Sequence, residues 1–212
     1  MPKDKVSRPK IPRGLRLEQD EVPIWYGRMS KKCVLGSIIG FVILFFFGII
    51  ATFAIPNPIA VFIGLIMLLI SFILLIRAII RVWSTEYFIS NHRVYVKYGI
   101  GGRNIYEVRH DWVSNYVINQ SLGNRILNVG KLVISTPGHY KGYVEMNCVS
   151  SPIRVKELLE NVLQKYRRVV ELRNKLARLE EEFEFGRIDS ARYNELKAKY
   201  LEEIDRIWQE RG

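Results

Sequence analysis

Two hydrophobic patterns of different kinds divide the chain. From Cys33 to Ile76 no Asp, Glu, Lys or Arg occurs, and apolar residues cover every face of a helix rather than one stripe. A helix that is apolar all round is buried in protein or in lipid, and no other part of the chain has enough surface to cover this one. The pattern predicts a first membrane span over 33–55, which is about 34 Å of helix against a hydrocarbon core of about 30 Å. Pro56, Asn57 and Pro58 break the run, because proline fixes φ and lacks an amide donor. A second span follows over 59–80. It extends to Trp83 if Arg77 and Arg81 snorkel along their aliphatic stems. With three residues between them, the spans fold back as an antiparallel hairpin. The first span is too long, and begins too far from Met1, to read as a cleaved signal peptide.

Beyond the spans the period shortens to two. Short β-rich runs alternate with turn residues over 84–150: 86–90, 93–98, 104–109, 113–120, 131–136 and 143–149. The segment RILNV, bracketed by Gly123 and Gly130, belongs to the same β-rich stretch. Neighbouring strands with short turns pair antiparallel, and a sheet of this size must curl or pack to bury one face. Helical spacing returns at Ser151, a good N-cap followed by Pro152. Val155, Leu159, Val162, Tyr166 and Val169 form one stripe, placed to plug the open end of the sheet. The stripe slips phase near Leu172, resumes through Leu176, Leu179 and Phe183, and stops at Gly186. Asp189 then caps a second helix with the stripe Tyr193, Leu196, Tyr200, Ile204 and Ile207.

Charge adds orientation. The formal net charge is +11, and most of it flanks the spans. Residues 1–32 hold nine basic and four acidic side chains, whereas the Pro-Asn-Pro loop holds none. The positive-inside rule places both termini in the cytoplasm of a multi-pass cell-membrane protein. Arg28, Lys31, Lys32, Arg77 and Arg81 become the expected contacts with anionic headgroups. Nucleic-acid binding would need a basic face on a folded domain, and none is patterned here. Residues 1–20 read as a basic, disordered tail.

Candidate chemistry changes the picture little. Two cysteines, Cys33 and Cys148, make no disulfide framework, in keeping with a cytoplasmic placement. Cys33 sits at the membrane edge, where acylation is a possibility. His92, His110 and His139 lack partners at metal-site or triad spacing. No catalytic residue, metal or cofactor is expected. Ionisable residues are missing from the spans, so an ion pathway has no lining. Gly36 and Gly40 form a small-xxx-small pair. Gly48 and Gly64 fall level with each other, so they suit packing within the hairpin. That leaves Gly36 and Gly40 for self-association.

With these residues in hand, the chain over about residues 21–165 resembles the bacterial pleckstrin-homology-like (PH-like) domains, with the motif residues running from Tyr87 to Pro152. Tyr87, Ile89, Ser90 and Arg93 stand in an opening of the Y-x-I-S/T-x-x-R kind, Gly99 in the following turn, and Val117, Gln120, Ser121, Arg125, Leu127 and Gly130 in a later one. Residues 21–28 resemble the short element that precedes the hairpin in such proteins, giving a pre-membrane element and hairpin over 21–83 and a PH-like domain with its capping helix over 84–168. The resemblance implies a membrane α+β protein whose curled, six- to seven-stranded antiparallel β-barrel is capped by a helix. Phosphoinositide-binding relatives carry a dense basic loop between their first two strands; here that loop is only Ser90-Asn91-His92-Arg93. Arg93, Lys97 and Arg103 remain as a lipid- or partner-facing surface. Residues 169–212 resemble the SHOCT helical hairpin through Leu176, Leu179, Gly186, Ile188, Tyr193 and Leu196, which implies oligomerisation or partner contacts. The reading that follows is a non-enzymatic interaction or scaffold protein on the cytoplasmic face, self-associating or recruiting a protein. The alternatives are an anionic-lipid sensor or an accessory subunit of a larger membrane complex.

Overall fold

The computed structural model describes residues 11–12, 15–18, 20–53, 57–99, 104–137 and 141–209. The chain divides into two compact units, residues 1–153 and 154–212.

In the first unit, strand β1 (Pro23–Arg28) runs through Met29 and Ser30 into a single 3-10 turn, Lys31–Cys33, and helix α1 (Val34–Phe53). Helix α2 (Pro58–Ser84) returns antiparallel to it. Pro58 occupies the first helical position, and Asn57 caps it, its Oδ1 accepting from the Ile59 amide at 2.9 Å. The rest of the expected loop, Pro56, and the last two residues of the expected first span, 54–55, lie outside the described residues. Both helices are long and apolar enough to cross a membrane. Close approach sets their pairing: a Cβ on Gly64 would lie 2.7 Å from the Gly48 carbonyl oxygen and 2.9 Å from the Thr52 amide. A Cβ at Gly36 or Gly40 would meet nothing within 4 Å.

Seven strands follow the period-two pattern: β1, β2 (Glu86–Ser90), β3 (Arg93–Tyr98), β4 (Asn104–Arg109), β5 (Asn115–Asn119), β6 (Val129–Ser135) and β7 (Tyr143–Ser150). They do not form the expected barrel. Among the described residues there are two antiparallel sheets, β1-β2-β3-β4 and β5-β6-β7, and no closed barrel. The first ladder ends where Arg109 enters a 3-10 turn, His110–Trp112, and β5 leaves to join the other sheet. At the opposite seam the Ser30 amide donates to the Cys148 carbonyl at 2.9 Å, but no strand ladder forms. The Tyr87 and Tyr98 hydroxyls donate instead to the Asn147 and Glu145 carbonyls of β7. These carbonyls are two residues apart and so point to one edge of the strand. Tyrosine side chains thus satisfy acceptors that a closing strand would have taken.

The core comes from inward positions of both sheets, including Tyr87, Ile89, Val94, Val96, Leu132, Ile134, Val144 and Met146. The RILNV segment is a second departure from the expected pattern. Leu122–Ile126 form a short helix, α3, in which Ser121 Oγ accepts from the Asn124 amide. Asn128 follows in the left-handed region at φ 51°, a conformation asparagine tolerates better than most residues.

The second unit is a helical hairpin. Helix α4 (Pro152–Glu184) is continuous through residue 169, where the apolar stripe slips phase. Gly186 ends it at φ 65°, with the Arg187 amide donating to the Glu182 carbonyl at 2.9 Å. Asp189 Oδ2 accepts from the Ala191 amide and opens helix α5 (Ser190–Gln209). The pair is antiparallel: Phe183 stacks on Tyr193 with ring centroids 4.4 Å apart, Lys197 Nζ lies 3.5 Å from Glu180, and Arg168 lies 2.9 Å from Glu203.

Candidate functional site

The first unit carries a cleft of about 820 Å³ where the helical hairpin meets the sheets. Six elements and one link build it. The last turns of α2 give Arg77, Arg81, Ser84 and Thr85, and the link from β1 to α1 gives Met29 and Cys33. The far ends of β3 and β4 give Tyr98 and Asn104. Helix α3 contributes Asn124, and β6 and β7 contribute Lys131, Asn147 and Cys148.

Local sequence explains each contribution. Arg77 and Arg81 are four residues apart and share one face of α2. They are exposed, and neither has an ion pair among the described residues. Carbonyls at a helix C-terminus carry partial negative charge, but here the Arg81 carbonyl accepts from the Thr85 hydroxyl at 2.8 Å and the Ser84 hydroxyl at 3.3 Å. On β7 the pairing shifts between Gly130↔Val149 and Leu132↔Met146, so that Asn147 and Cys148 together oppose Lys131. Such a bulge re-aims its side chains, and Cys148 itself sits at φ 55°.

The bulge brings Cys148 to Cys33. The two sulfurs are bonded, with Cα atoms 6.4 Å apart across 115 residues of sequence. This corrects the expectation that the two cysteines make no disulfide framework, and it leaves the Cys33 sulfur unavailable for acylation in this state. Sequence spacing carried no signal for the pair, because the two positions meet only through the seam between β7 and the base of α1.

Elsewhere, the charged residues are drawn into the sheet. Arg93 makes a fork with Glu21, Nε to Oε1 at 3.0 Å and Nη2 to Oε2 at 2.7 Å, and adds Glu107 at 2.9 Å. Burial pushes the Glu21 carboxyl up, but the hydrogen bonds from Arg93 and Ser90 outweigh it and hold the group below the usual range. Lys97 lies 3.2 Å from Glu86. Glu86 also accepts from Tyr26 Oη at 2.9 Å and Arg28 at 3.1 Å. Burial raises its pKa, and these donors, with Lys97, bring it below the usual value. Arg93 and Lys97 are therefore neutralised within the sheet. Arg103, the third residue of the expected surface, lies outside the described residues. Of the expected headgroup contacts, Arg28 is engaged by Glu86, Lys32 Nζ donates to the Leu127 carbonyl at 2.8 Å, Lys31 is exposed, and Arg77 and Arg81 line the cleft.

His110 is buried beside this charge cluster. Its Nε2 lies 2.8 Å from the Ser90 carbonyl, and burial holds its pKa below the usual value. In the neutral imidazole Nε2 is then the donor. Among the described residues no group of three or more His, Cys, Asp or Glu is arranged to hold a metal ion. Sequence reasoning missed Asn104, Asn124, Lys131 and Asn147. They are single polar residues on separate strands and one helix, and no local pattern links them.

The first unit is thus two antiparallel sheets beside an apolar helix pair, with polar groups gathered at their junction. The family model described as Bacterial PH domain matches residues 35–166, and the chain belongs to that family. Its members are interaction modules, a class that contacts lipids or proteins. No curated protein and no solved structure matches the chain.

Proposed function

We propose that this chain is a membrane-anchored, non-enzymatic interaction module, held by its hairpin on the cytoplasmic face. The observation that carries the reading is the way the hairpin is inserted. Strands β1 and β2 are hydrogen-bonded neighbours, yet the whole of α1 and α2 lies between them in sequence. Only Thr85 separates α2 from β2, and its carbonyl accepts from the Met29 amide at 3.3 Å. A flexible tether would let the domain drift, whereas this connection fixes the sheets at the end of the spans. Most apolar side chains of both helices face outward: 6% of the span window in α1 and 11% in α2 is buried. In water that much exposed apolar surface is untenable for a monomer.

Apolar groups beside the base of the spans support the same placement. Leu122 and Ile126 of α3 are 83% and 86% exposed, and Trp83 is 71% exposed. The Lys32–Leu127 hydrogen bond keeps α3 next to the start of α1, which suits insertion of these side chains at headgroup depth. Nine basic residues before the first span favour the cytoplasmic side. The helical hairpin of residues 154–212 supplies the second contact, to another copy or to a protein partner. Its candidate face comprises Leu176, Ile188, Tyr193 and Leu196 beside the Gly186 turn, residues that carry the SHOCT-like pattern; Leu179, which completes the pattern, is buried within the hairpin.

Two measurements on cell membranes test this reading. The full chain should remain in the pellet after alkaline carbonate extraction, and in-membrane crosslinking should join residues 154–212 to a second copy or to one reproducible partner. Release into the carbonate supernatant would defeat the anchoring. Crosslinks confined within single chains would defeat the partner contact.

A further inference from the structure

Arg77 and Arg81 line two cavities at once. One is the polar cleft already described. The other is a groove of about 480 Å³ along the inner half of the helical hairpin, lined by Gly40, Phe41, Leu44 and Leu74 as well as the two arginines. The cleft is the more polar of the two spaces. The cleft offers amide and hydroxyl groups from Asn104, Asn124, Asn147 and Ser84, and among the described residues no Asp or Glu side chain lines it. Lys131, which also lines the cleft, is paired with Glu145 at 2.6 Å. The groove is apolar apart from Ser37 and the arginine stems, and Gly40 leaves it open because nothing lies within 4 Å of its absent Cβ.

A ligand that fills both spaces is anionic at one end and hydrocarbon at the other. We infer that this junction holds one anionic phospholipid, its phosphate between Arg77 and Arg81 and one acyl chain along the groove past Gly40. The proposal rests on the membrane-anchored reading above and names the ligand of that site. Arginine's planar fork suits a phosphate, and two such groups on one helix face can share its oxygens. The Ser84 and Thr85 hydroxyls cover the Arg81 carbonyl, so the helix end does not oppose the anion. An amphiphile also explains why the arginines stay without carboxylate partners while Arg28, Arg93 and Lys97 are all paired. Among the described residues no carboxylate meets the charge on α2, which leaves the space to an outside anion.

The test uses the full chain, first confirmed in membranes by carbonate extraction so that failure of anchoring is seen separately. Native mass spectrometry of detergent-purified protein then compares dioleoyl-phosphatidylglycerol with dioleoyl-phosphatidylcholine. The expected result is one retained lipid with at least about tenfold preference for the anionic one. That preference should be lost in Arg77→Gln/Arg81→Gln and unchanged in Arg125→Gln, a basic residue on α3 that lines neither cavity. Gly40→Leu, which fills the groove, should reduce retention while leaving the cleft intact. Millimolar glycerol phosphate should fail to displace the lipid; displacement would make this a plain phosphate site and overturn the proposal. Equal binding of both lipids, or a dimer mass in place of a lipid adduct, would also overturn it. A final arm needs no substitution. A phospholipid with a photoreactive acyl chain should label Phe41, Leu44 and Leu74, and uniform labelling around the spans would refute the site.

Discussion

Arg93 shows how context assigns a role that residue type alone leaves open. On a β-strand next to a turn it looks like a surface cation ready for a headgroup. In the fold its side chain is 14% exposed, and it grips Glu21, whose side chain is fully buried. Breaking a buried pair from one side leaves an uncompensated charge and typically costs about 3–5 kcal/mol. Arg93→Ala should therefore lower stability by about 3 kcal/mol in urea unfolding of the purified protein. A change below about 1 kcal/mol, the range of an exposed ion pair, would return Arg93 to the surface. Arg77 and Arg81 present the opposite case: cations that, among the described residues, have no carboxylate partner and line a cleft with no carboxylate.

Among the elements, the helix pair and the sheet depend on each other. Helices α1 and α2 approach closely at Gly48 and Gly64, where backbone meets backbone. Adding bulk to a close-packed contact costs about 1–3 kcal/mol. Gly64→Leu should lower the thermal midpoint of the detergent-solubilised protein, whereas Gly36→Leu, facing open space, should not. Equal effects would mean that the crossing lies elsewhere. The β7 bulge has similar reach for a single extra residue. It turns Asn147 into the cleft, aims Cys148 at Cys33, and interrupts the strand where a barrel would have closed.

For the molecule as a whole, the cysteine pair and the charge asymmetry bear on the same question. Nine basic residues before α1 favour a cytoplasmic domain, and a cytoplasm keeps thiols reduced. On that face Cys33 and Cys148 form a dithiol that closes only under oxidation. Closing a loop of 115 residues is worth at most about 4–5 kcal/mol in the chain-entropy model; spans held in a bilayer restrict that loop beforehand and reduce the gain. Alkylation of intact cells during lysis should find both thiols free, and a mild oxidant should then link them. A pair already bonded in untreated cells would place the domain on the oxidising face and reverse the proposed orientation.

The sequence by itself determined the elements whose causes are local. An uncharged run of this length permits only an apolar helix pair, Pro-Asn-Pro permits only a break, and strict alternation permits only strands. Thus 33–55 and 59–80 foretold α1 and α2 to within a few residues, and six of the seven strands stand where the alternation put them. The Gly186 and Asp189 caps were equally legible, since each acts within one helical turn. Tertiary structure alone decided how the strands divided between two sheets, that residues 23–28 pair with β2 across the whole hairpin, and that Cys33 meets Cys148. It also gathered Arg77, Asn104, Asn124 and Asn147 from four elements into one cleft. These depend on register, on one bulge and on which edge finds which partner. Periodicity within a segment does not encode them, because the energy that selects them comes from contacts between residues far apart in the chain.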